Sequence, residues 1–288
     1  MMRPMQLVWR LTALLAAVLL AAVLLAACAP VEKSPSVGMS HCKKESLATL
    51  YPGIFTFGTD QPVYPPWYMG DNPANGEGFE SALAYAVAGK LGYAGEDVRW
   101  VRVPFAVAIT PGPKAFDANL SQFSITDQRK AAVDFSSPYF SVTQAVVTIK
   151  SSPAARAHSR NDLRPLKLGV QVATTSQTAA ISVEGNSPVA VYNTNADAKL
   201  ALSNGEIDAL VADLPTAFAV AGELRDGVIV GQLPATADDG EQFGIVLDKG
   251  SPLTRCVSSA VDSLRTDGTL ERLERQWLAG AGKAPVLP

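Results

Sequence analysis

Histidine is almost missing from this chain: two of 288 residues, His41 and His158. Both fall in polar stretches read as linker and loop, and neither belongs to a Ser-His-Asp pattern for nucleophilic catalysis. Cysteine is scarce too, at three, and no cluster has metal-ligand spacing. No glycine-rich phosphate cradle is evident. Lysine and arginine number 24 against 27 acids, with no dense basic stretch, which argues against nucleic acid as a partner. No cofactor and no metal are therefore expected, and a binding role comes ahead of a catalytic one.

What is present begins at the N-terminus. Met1 to Arg10 carries Arg3 and Arg10 and no acid, Leu11 to Ala27 is uninterruptedly apolar, and Leu25-Ala26-Ala27-Cys28 follows. This is the layout of a secretory signal and short for a membrane span, although a true anchor stays open as an alternative. The Leu-Ala-Ala-Cys ending resembles a bacterial lipobox, in which the Cys28 thiol takes a diacylglyceryl group. Residues 1–27 are thus expected to be a lipoprotein signal peptide, and residues 28–41 a flexible tether to the bilayer. With Cys28 assigned to lipid, Cys42 and Cys256 remain, and outside the cytoplasm such a pair is expected to form a disulfide rather than two separate thiols.

The segment Ser124-Ile125-Thr126-Asp127-Gln128-Arg129 reads as a helix start. Thr126 suits the N-cap, Asp127 the first turn, and Arg129 the third helical position. An arginine there can grip a carboxylate with its guanidinium fork alongside free backbone N–H groups. On this segment alone, an exposed arginine in a solvated turn is the plainer reading.

Further along, strands and helices alternate in two cycles. Strands are expected at residues 54–58, 98–103, 119–123 and 145–149, then at 167–170, 189–192, 208–212 and 243–247. Helices are expected at 80–91, from 126, and at 175–183, 195–203, 214–224, 253–265 and 269–278. Such alternation argues for an α/β fold with mostly parallel sheets that bind ligands at the carboxyl ends of their strands. The second cycle reads as an insertion, the chain crossing once near residues 141–150 and returning near 236–243. Residues 42–144 plus 243–283 form lobe 1, and residues 145–242 form lobe 2.

Several fragments occur in a telling order: Gly78-Phe79-Glu80-Ser81-Ala82-Leu83, Ser124-Ile125-Thr126 with Arg129, Val133-Asp134-Phe135-Ser136 with Pro138-Tyr139, Gly169-Val170-Gln171 with Thr174-Thr175, Asp208-Ala209 with Asp213, and Gly268-Thr269-Leu270 with Trp277. In this order, behind a lipobox, the chain resembles the family 3 extracellular solute-binding proteins, polar amino-acid receptors of ABC importers. The resemblance implies two α/β lobes joined by two crossover strands and closing over a ligand, the periplasmic-binding-protein type II fold. It implies that Arg129 holds the ligand α-carboxylate, with Thr174 and Thr175 gripping it from the other lobe. Asp213 would accept from the α-ammonium, helped by the Ser124 hydroxyl and the Gln122 main-chain carbonyl. The ligand side chain would meet Asp60, Tyr64, Trp67 and Phe105. Plain packing remains open for Trp67 and Phe105, a turn cap for Asp60, and a hinge or pocket role for Gln144. The implied partners are an amino acid, an ABC importer permease and, through Cys28, the lipid bilayer. A dehydratase acting on a cyclohexadienyl carboxylic acid, or a ligand sensor, is the alternative on the same scaffold.

Two departures bear on the site. Gln122 stands where many relatives have a small residue, and Ala173 replaces the glycine usually found before the two threonines.

Overall fold

A computed structural model describes residues 41–234, 240–279 and 283–288. The proposed signal peptide, Cys28 and all of the tether but His41 lie outside the described residues.

The chain builds two five-stranded sheets. Strand β1 (Phe55–Thr59) is buried along its whole length and leads into helix α1 (Phe79–Lys90). That helix can start where it does because position 78 is glycine: φ is +99° there, and a Cβ would run into the carbonyl of Trp67. Phe79, Leu83, Ala84, Val87 and Ala88 then recur at helical spacing and bury one face. Strand β2 (Val98–Arg102), the short helix α2 (Phe105–Ala108), strand β3 (Ala118–Asn119), helix α3 (Asp127–Lys130) and strand β4 (Val133–Phe135) complete the first passage. Strand β5 (Phe140–Val142) carries the chain across into β6 (Gln144–Ile149) of the second sheet.

The second passage runs through α4 (Arg160–Leu163), β7 (Leu168–Gln171), α5 (Thr175–Ser182), β8 (Ala190–Tyr192), α6 (Asn195–Ser203), β9 (Ala209–Asp213), α7 (Leu214–Glu223) and β10 (Gly227–Gln232). Its sheet has the order β10-β6-β9-β7-β8, with apolar clusters on both faces. The chain returns along β11 (Glu241–Phe243), which pairs antiparallel with β5 as a two-stranded ribbon. Strand β12 (Val246–Asp248) then rejoins the first sheet, whose order is β2-β1-β3-β12-β4. Helices α8 (Thr254–Thr266) and α9 (Thr269–Trp277) close this half. Two α/β lobes joined by two crossover strands are the result.

Cys42 and Cys256 are bridged, with their Cα atoms 5.3 Å apart. The bridge ties the start of the described chain to α8 across 214 residues. In the chain-entropy view, closing so long a loop stabilises the fold by up to about 5 kcal/mol.

The structure differs from the sequence reading in four respects. The sheets are mixed: β12 runs antiparallel to β3 and β4, and β6 antiparallel to β9 and β10, because the crossover strands enter each sheet from the opposite end. The strand expected at residues 243–247 is split at Gly244, where a Cβ would lie 2.8 Å from Ile125 Cδ1, so that β11 and β12 belong to different sheets. Strands β4, β5 and β10 have no counterpart in the sequence reading. Last, the C-terminal residues dock on the second sheet. Gln232 N donates to Pro285 O (2.7 Å) and Leu287 N to Gln232 O (2.8 Å), and Leu287 is buried.

Candidate functional site

The carboxyl ends of β1, β3, β7 and β9 converge on one cleft between the lobes. It takes in about 550 Å³ of space, open solvent included. Asp60, Tyr64, Phe105, Gln122, Arg129, Thr174, Thr175 and Asp213 all line it, so eight of the ten residues read from the sequence come together.

Arg129 sits where the helix-start pattern put it. Thr126 is the N-cap of α3, its Oγ1 accepting from Arg129 N at 3.2 Å. The guanidinium, however, is not on a solvated turn: only 8% of the residue is exposed. Its Nη1 donates to Ser124 O (2.7 Å) and its Nη2 to Ala173 O (2.9 Å). The group lies over the Phe105 ring, 5.4 Å from the centroid. No carboxylate among the described residues forms an ion pair with it. Burial alone drives its pKa down to about 10, with Asp213 and Glu241 pulling the other way. A buried cation that spends two N–H bonds on carbonyls keeps its remaining donors for an anion.

Across the cleft lies the start of α5. Thr174 is the N-cap, accepting from Gln177 N at 3.2 Å and donating to Gln171 O at 2.7 Å. The N–H groups of Thr175 and Ser176 donate to no described residue, leaving two backbone donors at a helix start. Ala173, just before, has φ +62°, the left-handed conformation that a glycine adopts without cost.

Asp213 ends β9. Its Oδ1 accepts from Gln144 Nε2 at 2.8 Å. Burial, and after it the nearby charge of Glu241, raises its pKa to about 7 against the opposing pull of Gln144 and Arg129. Gln144, at the start of β6, acts as the hub here: Nε2 also lies 3.1 Å from Glu241 Oε2, and Oε1 accepts from Ser176 Oγ at 2.6 Å. Glu241, on the second crossover strand, had no signal in the sequence that would have marked it. Gln171 was quoted only as part of a fragment, yet its Nε2 donates to Asp60 Oδ2 at 3.1 Å across the cleft. Asp60 is not a simple turn cap. Oδ1 accepts from Gln61 N and Phe105 N, Oδ2 faces the other lobe, and burial raises its pKa. The Tyr64 hydroxyl accepts from Ala196 N of α6 at 3.1 Å. Phe105 fills both roles left open for it, lining the cleft and stacking on Phe123 with centroids 4.7 Å apart.

Two expected residues do not line the cleft. Trp67 is fully buried against Phe79, Phe140 and Phe243, and its indole N–H donates to Thr216 Oγ1 of α7 at 2.8 Å. Its large apolar surface is worth more in this aromatic cluster than beside a polar ligand. Ser124 is buried behind the cleft wall, its Oγ donating to Glu241 Oε2 at 2.9 Å and lying 3.1 Å from Thr175 Oγ1. Its hydroxyl joins the lobes instead of facing the cavity. Together with the Asp60–Gln171, Tyr64–Ala196, Trp67–Thr216 and Arg129–Ala173 hydrogen bonds, it describes a closed arrangement of the two lobes.

Comparison with known proteins adds to this geometry. The model of "Bacterial extracellular solute-binding proteins, family 3" matches residues 55–280. An L-arginine-binding protein of Pseudomonas aeruginosa is 30% identical over 250 residues, covering 81% of this chain and 94% of that one. A solved ancestral arginine-binding protein bound to arginine superposes with a TM-score of 0.67 at 30% identity, covering 78% of this chain and 98% of that one. A solved ancestral amino acid-binding protein, described as a precursor of cyclohexadienyl dehydratase, reaches a TM-score of 0.64 at 30% identity, over 78% and 95% of the two chains.

Proposed function

The chain belongs to the bacterial extracellular solute-binding proteins, family 3, and on that premise we propose that it is a receptor that closes on a single amino acid. Lipid on Cys28 would anchor it to the membrane, and an ABC importer permease would receive the ligand. The observation that carries this reading is the Arg129 guanidinium, buried in the cleft without a carboxylate partner among the described residues. In the reading, the ligand α-carboxylate takes the free guanidinium donors and the Thr175 and Ser176 N–H groups, and Asp213 takes the α-ammonium. Each buried charge is then matched, which an isolated charge would need at a cost of several kcal/mol. The grip draws on both lobes, so a ligand favours the closed state over the open one.

Asp60 and Asp213 line the cleft, Arg129 is the one cationic residue among the lining, and Glu241 lies just behind the wall. A zwitterion neutralises one of each sign and leaves an acidic surplus. That surplus favours a ligand whose side chain is itself cationic, with Asp60 as its partner. The likeness to arginine-binding proteins supports the same choice. Thermal shift and calorimetry against all amino acids test it; basic amino acids should bind tightest, and a protein that no amino acid stabilises is not such a receptor.

A second reading is an enzyme like cyclohexadienyl dehydratase. It draws on two buried acids that hold protons near neutral pH, Glu80 and Asp213, which is a range suited to proton transfer. Turnover of a cyclohexadienyl carboxylic acid by the purified protein would place it first.

A further inference from the structure

Glu80 is the second residue of α1 and has no exposed surface. It does not line the cleft, yet both amide donors of a residue that does are fixed to it. Glu80 Oε1 accepts from Gln122 N at 2.8 Å, and Oε2 accepts from Gln122 Nε2. The Tyr139 hydroxyl donates to Oε1 as well. Its stabilising partners are these hydrogen bonds, with no cation among them.

Burying a carboxylate with only neutral donors is costly, and an apolar residue would fill a core position more cheaply. What the carboxylate does here is hold one cleft residue in an unfavourable backbone state. Gln122 has φ +52°, a left-handed conformation that a residue with a Cβ adopts at a cost of about 1–2 kcal/mol. Glutamine at this position can be gripped at two points, through its backbone and its side chain. A small residue would offer only the backbone point. Among the described residues no donor is bonded to the Gln122 carbonyl, so this acceptor is left for something else at the cleft wall.

We propose that Glu80 is a positioning residue: it clamps Gln122 at both amide groups so that the main-chain carbonyl is presented to the ligand ammonium beside Asp213. This rests on the amino-acid reading above for the identity of the ligand, but the clamp itself is a property of the ligand-free protein.

The test is Glu80→Leu. A leucine keeps an apolar side chain of similar size and offers no acceptor, so both clamping bonds are lost. A crystal structure of the ligand-free variant should show Gln122 out of the left-handed region; an unchanged φ near +52° overturns the proposal. This readout needs no ligand, so it decides on Glu80 even if the wild type binds no amino acid, an outcome that would sink the receptor reading alone. In calorimetry, the probe pair is L-arginine and its α-desamino analogue 5-guanidinopentanoate, with L-glutamine and 4-carbamoylbutanoate as the neutral pair. The variant should lose about tenfold in affinity for the amino acid and less than about twofold for the analogue. Equal losses for both would mean a merely structural role. Tyr139→Phe serves as control, lowering thermal stability with the affinity ratio unchanged. Should Glu80→Leu fail to fold, Gln122→Ala removes the side-chain half of the clamp and should move the same ratio by about threefold in the same direction; an unmoved ratio overturns the proposal.

Discussion

Arg129 and Asp213 are both ionisable, both deep in the cleft, and both far from their ordinary titration, yet the two ends of the cleft hold them in different ways. At the Arg129 end the lobes meet through carbonyls: Ser124 O from one lobe and Ala173 O from the other take one N–H each. The cation is oriented but not neutralised. At the Asp213 end the lobes meet through a shared amide. Gln144 Nε2 reaches Asp213 and Glu241 together, and burial, followed by the nearby charge of Glu241, holds the pKa of Asp213 up at about 7. One end therefore waits for an anion at every physiological pH. The other is ready for a cation only once it has lost a proton. On the proposed receptor reading, the Arg129 end sets whether an amino acid binds, and the Asp213 end sets under which conditions.

The largest effect that would break this contrast is expected at the carboxylate end. Arg129→Ala should weaken amino-acid binding by about a thousandfold, in line with removing one partner of a buried charge pair, with the thermal unfolding of the ligand-free protein little changed. Unaltered affinity in calorimetry would remove Arg129 from the site. Next comes Asp213→Asn, expected to cost about a hundredfold for ligands with a free α-ammonium. An Nα-acetylated analogue should bind the wild type weakly and lose little more in the variant; a loss as large as for the parent would refute the pairing.

The pH dependence sharpens the comparison further. Asp213 ionises near its ordinary 3.8 in the unfolded chain and near 7 in the ligand-free fold. Its protonated form therefore favours folding at acid pH, and that contribution fades as pH rises through 7. An arriving ammonium needs the carboxylate, so affinity runs the opposite way. Binding should be about tenfold weaker at pH 6 than at pH 8, with about one proton released at pH 6 when calorimetry is repeated in buffers of different ionisation enthalpy. Affinity that is flat across this range would deny the coupling between Asp213 and its neighbours.

The smallest expected change lies away from both ends. Trp67→Phe keeps most of the aromatic packing and removes the indole N–H that Thr216 accepts across the lobes. A stability loss of about 1 kcal/mol is expected, with ligand selectivity intact; a change in which amino acid is preferred would return Trp67 to the cleft wall.

Much of this site was legible in the sequence because its parts announce themselves locally. Thr126 and Thr174 are hydroxyl N-caps at helix starts, each accepting from a backbone N–H three residues on, and such pairs read directly off spacing. The Cys42–Cys256 bridge was legible by counting. What stayed hidden depends on long-range packing. Ser124 looked like a pocket hydroxyl, but Glu241, 117 positions away, takes it. Between ligand contact and plain packing the sequence leaves Trp67 open, because nothing local shows that Phe140 and Phe243 close around it. Strand β10 was missed because Gly227 and Gly231 disguise it. At Gly231 a side chain would collide with Leu287, a residue 56 positions further along. Glu80 stood in a quoted fragment, but its hold on Gln122 becomes visible only when α1 and the loop after β3 are placed side by side.

The central claim is that the cleft recognises both charges of an amino acid, one from each end. Titrating the wild type with the amino acid that binds tightest, then with its α-carboxamide and its Nα-acetyl derivative, tests this most directly. Two losses are predicted: about a hundredfold or more for the carboxamide at any pH, and a loss for the acetyl derivative that shrinks at low pH, where Asp213 already carries its own proton. A carboxamide that binds as well as the free amino acid would contradict the account at its root.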